Sequence, residues 1–260
     1  NKNWFISHEQ SYHGSTTDAL SISDRPNLKF YRKLQPYNRS LIKMHHPLKL
    51  KKKYETLDQY ARRSAKYLEK EILRIGPNRV CAYVGEPIMG GLIGDVPPAP
   101  NYWKYIRKIC TKYKVHLILD EVYCGTGTSG KIYCIDWDGV TPDFIFMGKT
   151  LGAGFVPLSA LITSSLIEEK IRYGQGQIQH STTHQGHSLC VAAALAVQQI
   201  IHDDDFLQAV TEKGEYLRGK LMDELGDHPF FANVRGRGLR NSIEYHCWKD
   251  KLLKVILKKI

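Results

Sequence analysis

Small and apolar side chains recur every three or four positions between a cluster of lysines and a Gly-Pro pair. The positions are Leu57, Tyr60, Ala61, Ser64, Leu68 and Ile72. This spacing predicts an amphipathic helix over residues 55–75 that ends at Gly76-Pro77. The same periodicity predicts a helix over residues 102–113 and two more over about 187–201 and 204–225.

Short, uninterrupted apolar runs lie between these periodic stretches. They cover residues 80–84, 115–119, 144–147 and 159–163, and a further strand is predicted over 239–245. Continuous apolar strands that alternate with helices are typical of parallel pairing with both sheet faces covered. The pattern therefore predicts an α/β fold with a mostly parallel sheet flanked by helices.

The residues that directly follow the apolar runs are candidates for chemistry. In parallel sheets, ligands bind beyond the carboxyl ends of the strands. The candidates are Glu86, Asp120, Glu121, Gly148, Lys149 and Thr150.

The net charge of +11 raises the question of an anionic partner. The excess lies in residues 1–80 and 246–260, whereas residues 81–245 are mildly acidic. The lysines at 49 and 51–53 are interpreted as a solvated face beside a helix start, since no nucleic-acid motif accompanies them. We expect no nucleic-acid partner, although a weak anion-attracting role stays open.

Cysteine spacing and apolar run lengths bear on the compartment. Six cysteines occur without any C-x-x-C pair, and no run of about 18 apolar residues is present. Reduced thiols in an intracellular protein without a membrane span are expected. The basic end, residues 249–260, is expected to be a terminal helix, with a membrane-surface helix as the alternative.

A phosphate-binding motif is imitated by residues 125–131, which fit G-x-x-x-x-G-K. Ile132 occupies the position where a Ser or Thr hydroxyl must reach the metal, and the acidic strand precedes the loop. Residues 132–139 do not predict a helix whose N-terminus could face a phosphate. The sequence therefore disfavours a nucleotide hydrolase.

Asp120 and Lys149 stand at the ends of two successive predicted strands. A surface salt bridge would explain such a pair, but Gly148 and residues 152–154 give the backbone around Lys149 freedom to approach a ligand. A lysine among apolar strand ends can lose its proton and attack carbonyl groups.

Nine motifs along the chain resemble, in order, those of class III pyridoxal-phosphate aminotransferases. They are Tyr12-His13-Gly14, Gly85-Glu86-Pro87-Ile88, Pro97 to Tyr102, Leu119-Asp120-Glu121-Val122, Gly125 to Gly130, Pro142-Asp143, Gly148 to Gly152, Thr183 to His187 and Val234 to Leu239. The resemblance spans about residues 4–245 and is greatest to the branch containing omega-amino-acid:pyruvate aminotransferases. It implies the large domain of the fold type I transferases and amino-group transfer from an amino acid or amine to a 2-oxo acid.

The resemblance also implies roles for individual residues. Lys149 matches the lysine that forms the internal aldimine with pyridoxal 5'-phosphate, and Asp120 matches the carboxylate paired to the pyridine nitrogen. Tyr12, with His13 beside it, matches the aromatic residue on one ring face, and Val122 would cover the other. Glu86 lies where the family has a glutamate near the cofactor. Thr183 matches a residue that binds the cofactor phosphate of the neighbouring subunit, which implies a homodimer.

The chain departs from the family pattern inside several motifs and at both ends. Inside the motifs, Tyr123 replaces a frequent Gln, Thr128 a frequent Arg, Ser181-Thr182 a common Gly-His, His184 an aromatic residue and Ser188 a Pro. The upstream phosphate loop and the downstream arginine for a substrate carboxylate have no counterpart. We therefore expect a chain truncated at both ends, with a large domain over 1–228 and the start of a small domain over 229–260.

Two alternatives follow from these departures. The chain could be a catalytically silent homologue that acts only through subunit association. It could also run another reaction on the same cofactor, such as racemisation or aminomutation, because Lys149 and Asp120 would serve all of these.

Overall fold

The computed structural model describes residues 2–26 and 38–246, and its centre is a six-stranded sheet. Its strands are β1 (Trp4–His8), β2 (Asn38–Ile42), β3 (Val80–Gly85), β4 (His116–Asp120), β5 (Phe144–Met147) and β6 (Ala160–Thr163). The strand order is β2-β1-β3-β4-β5-β6, and every pair is parallel except β5 with β6. A separate antiparallel hairpin joins β7 (Phe231–Arg237) to β8 (Arg240–Tyr245).

Seven helices accompany these strands in the described residues. They are α1 (Thr17–Ser21), α2 (Pro47–Leu50), α3 (Leu57–Ile75), α4 (Tyr102–Tyr113), α5 (Ser165–Tyr173), α6 (Ser188–Ile201) and α7 (Asp204–Leu225). Two 3-10 turns occupy Cys134–Asp138 and Lys149–Gly152. Both lie in loops after parallel strands.

Helix α3 begins and ends where local chemistry dictates. The Thr56 side chain accepts the backbone N–H of Gln59, and the Gln59 side chain accepts that of Thr56, which forms a capping box. The helix ends at Gly76, whose φ of +101° suits glycine. One face of α3 is buried and packs with α4 against the sheet.

The core between α4 and the sheet contains large aromatic side chains. Trp103, Tyr102 and Tyr83 are almost fully buried, and the Trp103 indole N–H donates to the Pro87 carbonyl at 3.3 Å. A Cβ added at Gly85 would lie 2.7 Å from the Trp103 ring. Glycine at the end of β3 is therefore needed for Trp103 to pack beneath the strand that leads to Glu86.

Helix α6 is apolar on every side and only partly covered. Leu189, Leu195 and Ile200 are exposed by 68%, 58% and 62%. Its Gln198 side chain donates to the Leu151 carbonyl at 3.1 Å, so α6 supports the 3-10 turn that begins at Lys149. None of the helices in residues 2–26 and 38–246 combines the length and apolar character that crossing a bilayer requires.

The hairpin β7-β8 is fastened to the loops around the sheet. Buried Arg235 donates to the carbonyls of Ile93 and Gly94, both at 2.7 Å, and pairs with Glu244. Arg237 pairs with Asp138 at 2.8 Å, and Lys49, from the lysine cluster, also pairs with Glu244. Both arginines of the R-G-R segment thus hold the hairpin in place.

The fold confirms the predicted α/β class with a mostly parallel sheet flanked by helices. The predicted helix over 102–113 and strand over 144–147 match α4 and β5 to the residue. The predicted strand over 159–163 corresponds to β6, which runs antiparallel to its neighbour. Strands β1, β2 and β7 and helices α1, α2 and α5 were not predicted, and the proposed terminal helix over 249–260 lies outside the described residues.

The loop that imitates a phosphate-binding motif folds back on itself. The N–H groups of Thr126 and Gly127 donate to the carbonyls of Ile132 and Lys131, at 2.8 and 3.2 Å. The 3-10 turn Cys134–Asp138 follows in place of an α-helix. The structure thus supplies no helix N-terminus for a phosphate at this loop.

Candidate active site

A cavity of about 190 Å³ opens at the carboxyl ends of the parallel strands. Three loops and the segment after β1 contribute its lining, which is Tyr12, His13, Gly14, Glu86, Gly91, Asp120, Val122, Tyr123 and Lys149. Because β1, β3, β4 and β5 are parallel, their ends converge on this edge. Six of the seven residues that the resemblance assigns to the site therefore lie together.

Asp120 ends β4 and is held by two hydrogen bonds. Its Oδ2 lies 2.9 Å from His13 Nδ1, and its Oδ1 accepts the Val122 backbone N–H at 3.0 Å. Burial disfavours the charged imidazolium of His13, but the hydrogen bond and charge of Asp120 outweigh it, so the pKa of His13 is raised. His13 thus stabilises a negative charge on Asp120 and fixes the direction of the carboxylate.

His13 also has a buried nitrogen without a partner. Among the described residues, no group forms a hydrogen bond with His13 Nε2, although the side chain is fully buried. A buried polar atom of this kind costs free energy unless a ligand or water satisfies it. Buried nitrogens of His8, His45 and His46 share this condition outside the cavity, so His13 Nε2 does not by itself mark a ligand site.

Glu86 follows β3 and faces the same cavity. Its carboxylate accepts the N–H groups of Tyr12 at 3.4 Å and Gly90 at 3.3 Å. Burial raises the pKa of Glu86 to about 6. The charge of Asp120 also raises this pKa, whereas the charge of His13 lowers it. Glu86 can therefore exchange a proton near neutral pH inside the cavity.

Lys149 begins the 3-10 turn after β5, and its side chain is exposed to the cavity. Its φ of +45° is in the left-handed region, which a residue other than glycine enters at a cost. The ammonium Nζ lies 5.3 Å from the centroid of the Tyr123 ring. The turn thus holds an amine in the same cavity as the Asp120 carboxylate.

Glu121, the neighbour of Asp120, points away from the cavity. Its carboxylate accepts the backbone N–H groups of Cys134 at 2.6 Å and Ile135 at 3.0 Å. Burial raises the pKa of Glu121 to about 7. Glu121 therefore stabilises the loop after β4. Asp120, the other acid at this strand end, faces the cavity instead.

Thr183 is not brought into the cavity. It is exposed and lies in a stretch of turns between α5 and α6. Its expected role was contact with a cofactor in a neighbouring subunit, so this position within one chain leaves that expectation untested. Thr150, a strand-end candidate, lines a different cavity beside α7.

Tyr123 and Gly91 line the cavity without having been singled out as site residues. Tyr123 was visible in the sequence only as a departure from the family's Gln. Its place depends on the close approach of Gly90, where an added Cβ would lie 2.3 Å from a ring carbon. Such a contact between distant segments leaves no periodic signal in the sequence.

The geometry agrees with a comparison to known proteins. The family model described as aminotransferase class-III matches residues 1–259. The chain belongs to the class-III aminotransferase family. The identified resemblance is thereby confirmed over nearly the whole chain.

Individual relatives agree with this membership. The chain is 37% identical over 248 residues to an aminotransferase of Gibberella zeae, covering 95% of this chain and 48% of that protein. It is 37% identical over 190 residues to the diaminobutyrate--2-oxoglutarate transaminase of Halomonas elongata, covering 72% and 40%. This class-III chain spans about half the length of the curated relatives it matches.

Solved transaminases share the fold. A structure from work on directed evolution of transaminases by ancestral reconstruction matches with a TM-score of 0.85 and 33% identity, covering 95% of this chain and 55% of that one. The omega transaminase of Pseudomonas jessenii, solved in complex with PMP, matches with a TM-score of 0.83 and 30% identity, covering 93% and 53%. The sheet is therefore that of the fold type I enzymes.

The residues of the cavity fit pyridoxal phosphate, the cofactor of this family. The donor set combines the Lys149 amine, the Asp120 carboxylate and the Tyr12 and Val122 side chains. An amine can bond to the cofactor's aldehyde carbon, a carboxylate can pair with its ring nitrogen, and the other two side chains can pack on a flat ring.

Proposed function

We propose that the protein transfers an amino group from an amino acid or amine to a 2-oxo acid with the help of pyridoxal phosphate. The observation that carries the proposal is that Lys149 and Asp120 line one cavity at the carboxyl edge of a fold type I sheet. The class-III family and the transaminase names of the relatives support the reaction class.

Pyridoxal phosphate supplies a carbon that takes up amino groups and a ring that accepts an electron pair. Lys149 would bind that carbon through its side-chain amine, and the free amine would carry the proton at the substrate's α carbon. The 3-10 turn and α6 keep the amine at the cavity mouth during both tasks. Lys149 is therefore the proposed nucleophile and proton carrier.

Asp120 would pair with the protonated ring nitrogen of the cofactor. Its carboxylate stays oriented because His13 and the Val122 N–H each hold one oxygen. Tyr12 and Val122 would hold the flat ring between them, and Glu86 contributes a carboxyl that exchanges a proton near pH 6. The side chains that would position the cofactor and set its charge thus come from the segments after β1, β3 and β4.

Thr183 completes the proposal through a second subunit. Its exposure leaves the hydroxyl free to reach a neighbouring chain. We place it at the cofactor phosphate of a partner copy, so the active form is a homodimer.

The test is to map where the cofactor bonds to the chain. The purified protein is incubated with pyridoxal phosphate, reduced with borohydride and digested, and the modified lysine is located by mass spectrometry. Wild-type protein should carry the label at Lys149, and Lys149→Ala should lose it.

Lys131→Ala is the matched control. Lys131 lies over the Trp137 ring at 5.5 Å, outside the cavity lining, so this variant should keep the label at Lys149. A folded wild-type protein labelled at other lysines but not at Lys149 would contradict the proposed function.

A further inference from the structure

Tyr123 forms a wall of the cavity and is clamped by three separate segments. Its ring lies against the backbone of Gly90, where an added Cβ would be 2.3 and 2.5 Å from two ring carbons. The Arg240 guanidinium carbon lies 4.2 Å from the ring centroid, and the Lys149 ammonium lies 5.3 Å from it. These contacts join the loop after β3, the loop after β5 and strand β8.

Arg240 is itself anchored to the turn after β4. Its Nε donates to the Thr128 hydroxyl at 3.3 Å, and that hydroxyl donates to the Gly125 carbonyl at 3.0 Å. The Leu239 N–H donates to the Thr128 carbonyl at 3.1 Å. Arg240 therefore approaches Tyr123 from a fixed point rather than from a mobile surface.

The negative charge near the Tyr123 phenol comes from Asp95, in the loop after β3. Asp95 is 2% exposed, and its carboxylate accepts a hydrogen bond from the Ser242 hydroxyl at 2.6 Å. Burial is the main cause of the raised pKa of Tyr123, and the negative charge of Asp95 is the second cause. Arg240 acts in the opposite direction on the same pKa. Strand β8 thus reaches the Tyr123 wall through Ser242 and Arg240, two residues on one side of the strand.

The clamp coincides with two departures from the family pattern. Tyr123 stands in place of a frequent Gln, and Thr128 stands in place of a frequent Arg. The Arg240 guanidinium lies at the same turn, and its Nε donates to the Thr128 hydroxyl. Tyr123 and Thr128 therefore both contact Arg240.

We propose that Arg240 is a positioning residue that, through Tyr123, keeps the cavity beside Lys149 open for the cofactor. This rests on the proposed function. A guanidinium stacked on a phenol ring holds the ring in one place. Without it, the ring can turn toward Lys149 and fill the space that the cofactor must enter.

The test compares three variants of the full chain. Arg240→Met removes the charge at similar length, and Arg240→Lys retains a cation over the ring. Arg218→Met is the control, because Arg218 bonds the Gly238 carbonyl and Asn241 in the same hairpin without touching Tyr123. The rate of borohydride-trapped labelling of Lys149 by pyridoxal phosphate is measured for each.

A second readout needs no cofactor. Fluorotyrosine placed at position 123 reports the environment and motion of the ring by fluorine NMR in the unloaded protein. Arg240→Met should shift and change the width of this resonance, and Arg218→Met should leave it unchanged. The first readout should show labelling of Lys149 slowed about tenfold in Arg240→Met, the factor that loss of a partly buried cation–π contact predicts.

Other outcomes overturn the proposal. Labelling of Arg240→Met at the wild-type rate, or of Arg240→Lys as slowly as Arg240→Met, shows that the stacked cation is not what keeps the cavity open.

The two proposals fail in different ways. Absence of label at Lys149 in wild-type protein removes the proposed function, and this inference with it. Normal wild-type labelling with an unaffected Arg240→Met variant removes only this inference.

Discussion

Replacing Glu121 by glutamine should change how the stability of the fold depends on pH. The Glu121 side chain is 1% exposed, and its carboxylate accepts two backbone N–H groups from the turn that begins at Cys134. Burial raises the pKa of Glu121 from its ordinary value of 4.5 to about 7. The folded state therefore binds the proton of this carboxyl more tightly than the unfolded state does.

The sign and size of the change in the free energy of unfolding with pH follow from proton linkage. A group with a raised pKa contributes stability that is complete below pH 4.5 and is lost as pH rises to about 7. At about 1.4 kcal/mol for each pH unit across that interval, the loss amounts to about 3 kcal/mol of the free energy of unfolding. Glutamine does not titrate, so Glu121→Gln should lack this loss.

The assay is urea unfolding of wild type and Glu121→Gln at pH 4.5, 6 and 8. The free energy of unfolding of the variant minus that of wild type should rise by about 3 kcal/mol between pH 4.5 and 8. A constant offset is also expected, because the glutamine amide N–H would face a backbone N–H. Only the change with pH tests the reasoning.

Glu69→Gln is the control. Hydrogen bonds from Lys112 and Tyr113 lower the pKa of Glu69, so this carboxylate is ionised in both states above pH 5. Its difference from wild type should be the same at pH 6 and pH 8. A Glu121→Gln difference that stays flat or falls with pH would show that the two backbone N–H groups, rather than burial, set the charge state of Glu121.

Two further predictions concern stability. Gly214→Ala places a Cβ 1.9 Å from the Gly238 carbonyl oxygen and should lower the free energy of unfolding by about 1–3 kcal/mol, whereas Gly219→Ala on the same helix meets open space and should raise it by about 1 kcal/mol. Equal urea midpoints for the two variants would refute the packing of α7 on the hairpin. Thr56→Ala removes the capping box with Gln59 and should cost about 1 kcal/mol, while Thr56→Ser should cost little; calorimetry would contradict this if both variants melted together.

Periodicity and caps predicted the helices that bury one face and the strands that consist of apolar residues. Helices α3 and α4 bury one stripe, and β3, β4 and β5 are apolar runs, so their bounds could be predicted from spacing. Strand β1 was missed because it ends in Ser7 and His8, which are polar yet buried. The direction of β6 could not be predicted, since an apolar run does not distinguish parallel from antiparallel pairing.

Some residues of the candidate site could also be predicted from the sequence, and others could not. Asp120 and Lys149 could be found from their places after predicted strands, and Tyr12 and His13 only from the family resemblance, because β1 was not predicted. The Tyr123 wall depends on Gly90 and Arg240, which lie far from it along the chain. Such contacts are set by tertiary packing and leave no local pattern.

The order of the cavity residues along the chain has a kinetic consequence for the assembly of the cavity. Tyr12 and Lys149 face one cavity, yet the described strands and helices from α1 to β5 lie between them in the chain. Contacts between such distant segments form slowly. On the ribosome, Tyr12 emerges long before Lys149, so a partly synthesised chain presents one wall of the cavity without the other. If the proposed cofactor is pyridoxal phosphate, its uptake should follow completion of the sheet, and the rate at which bound cofactor appears during refolding would report the last step of assembly.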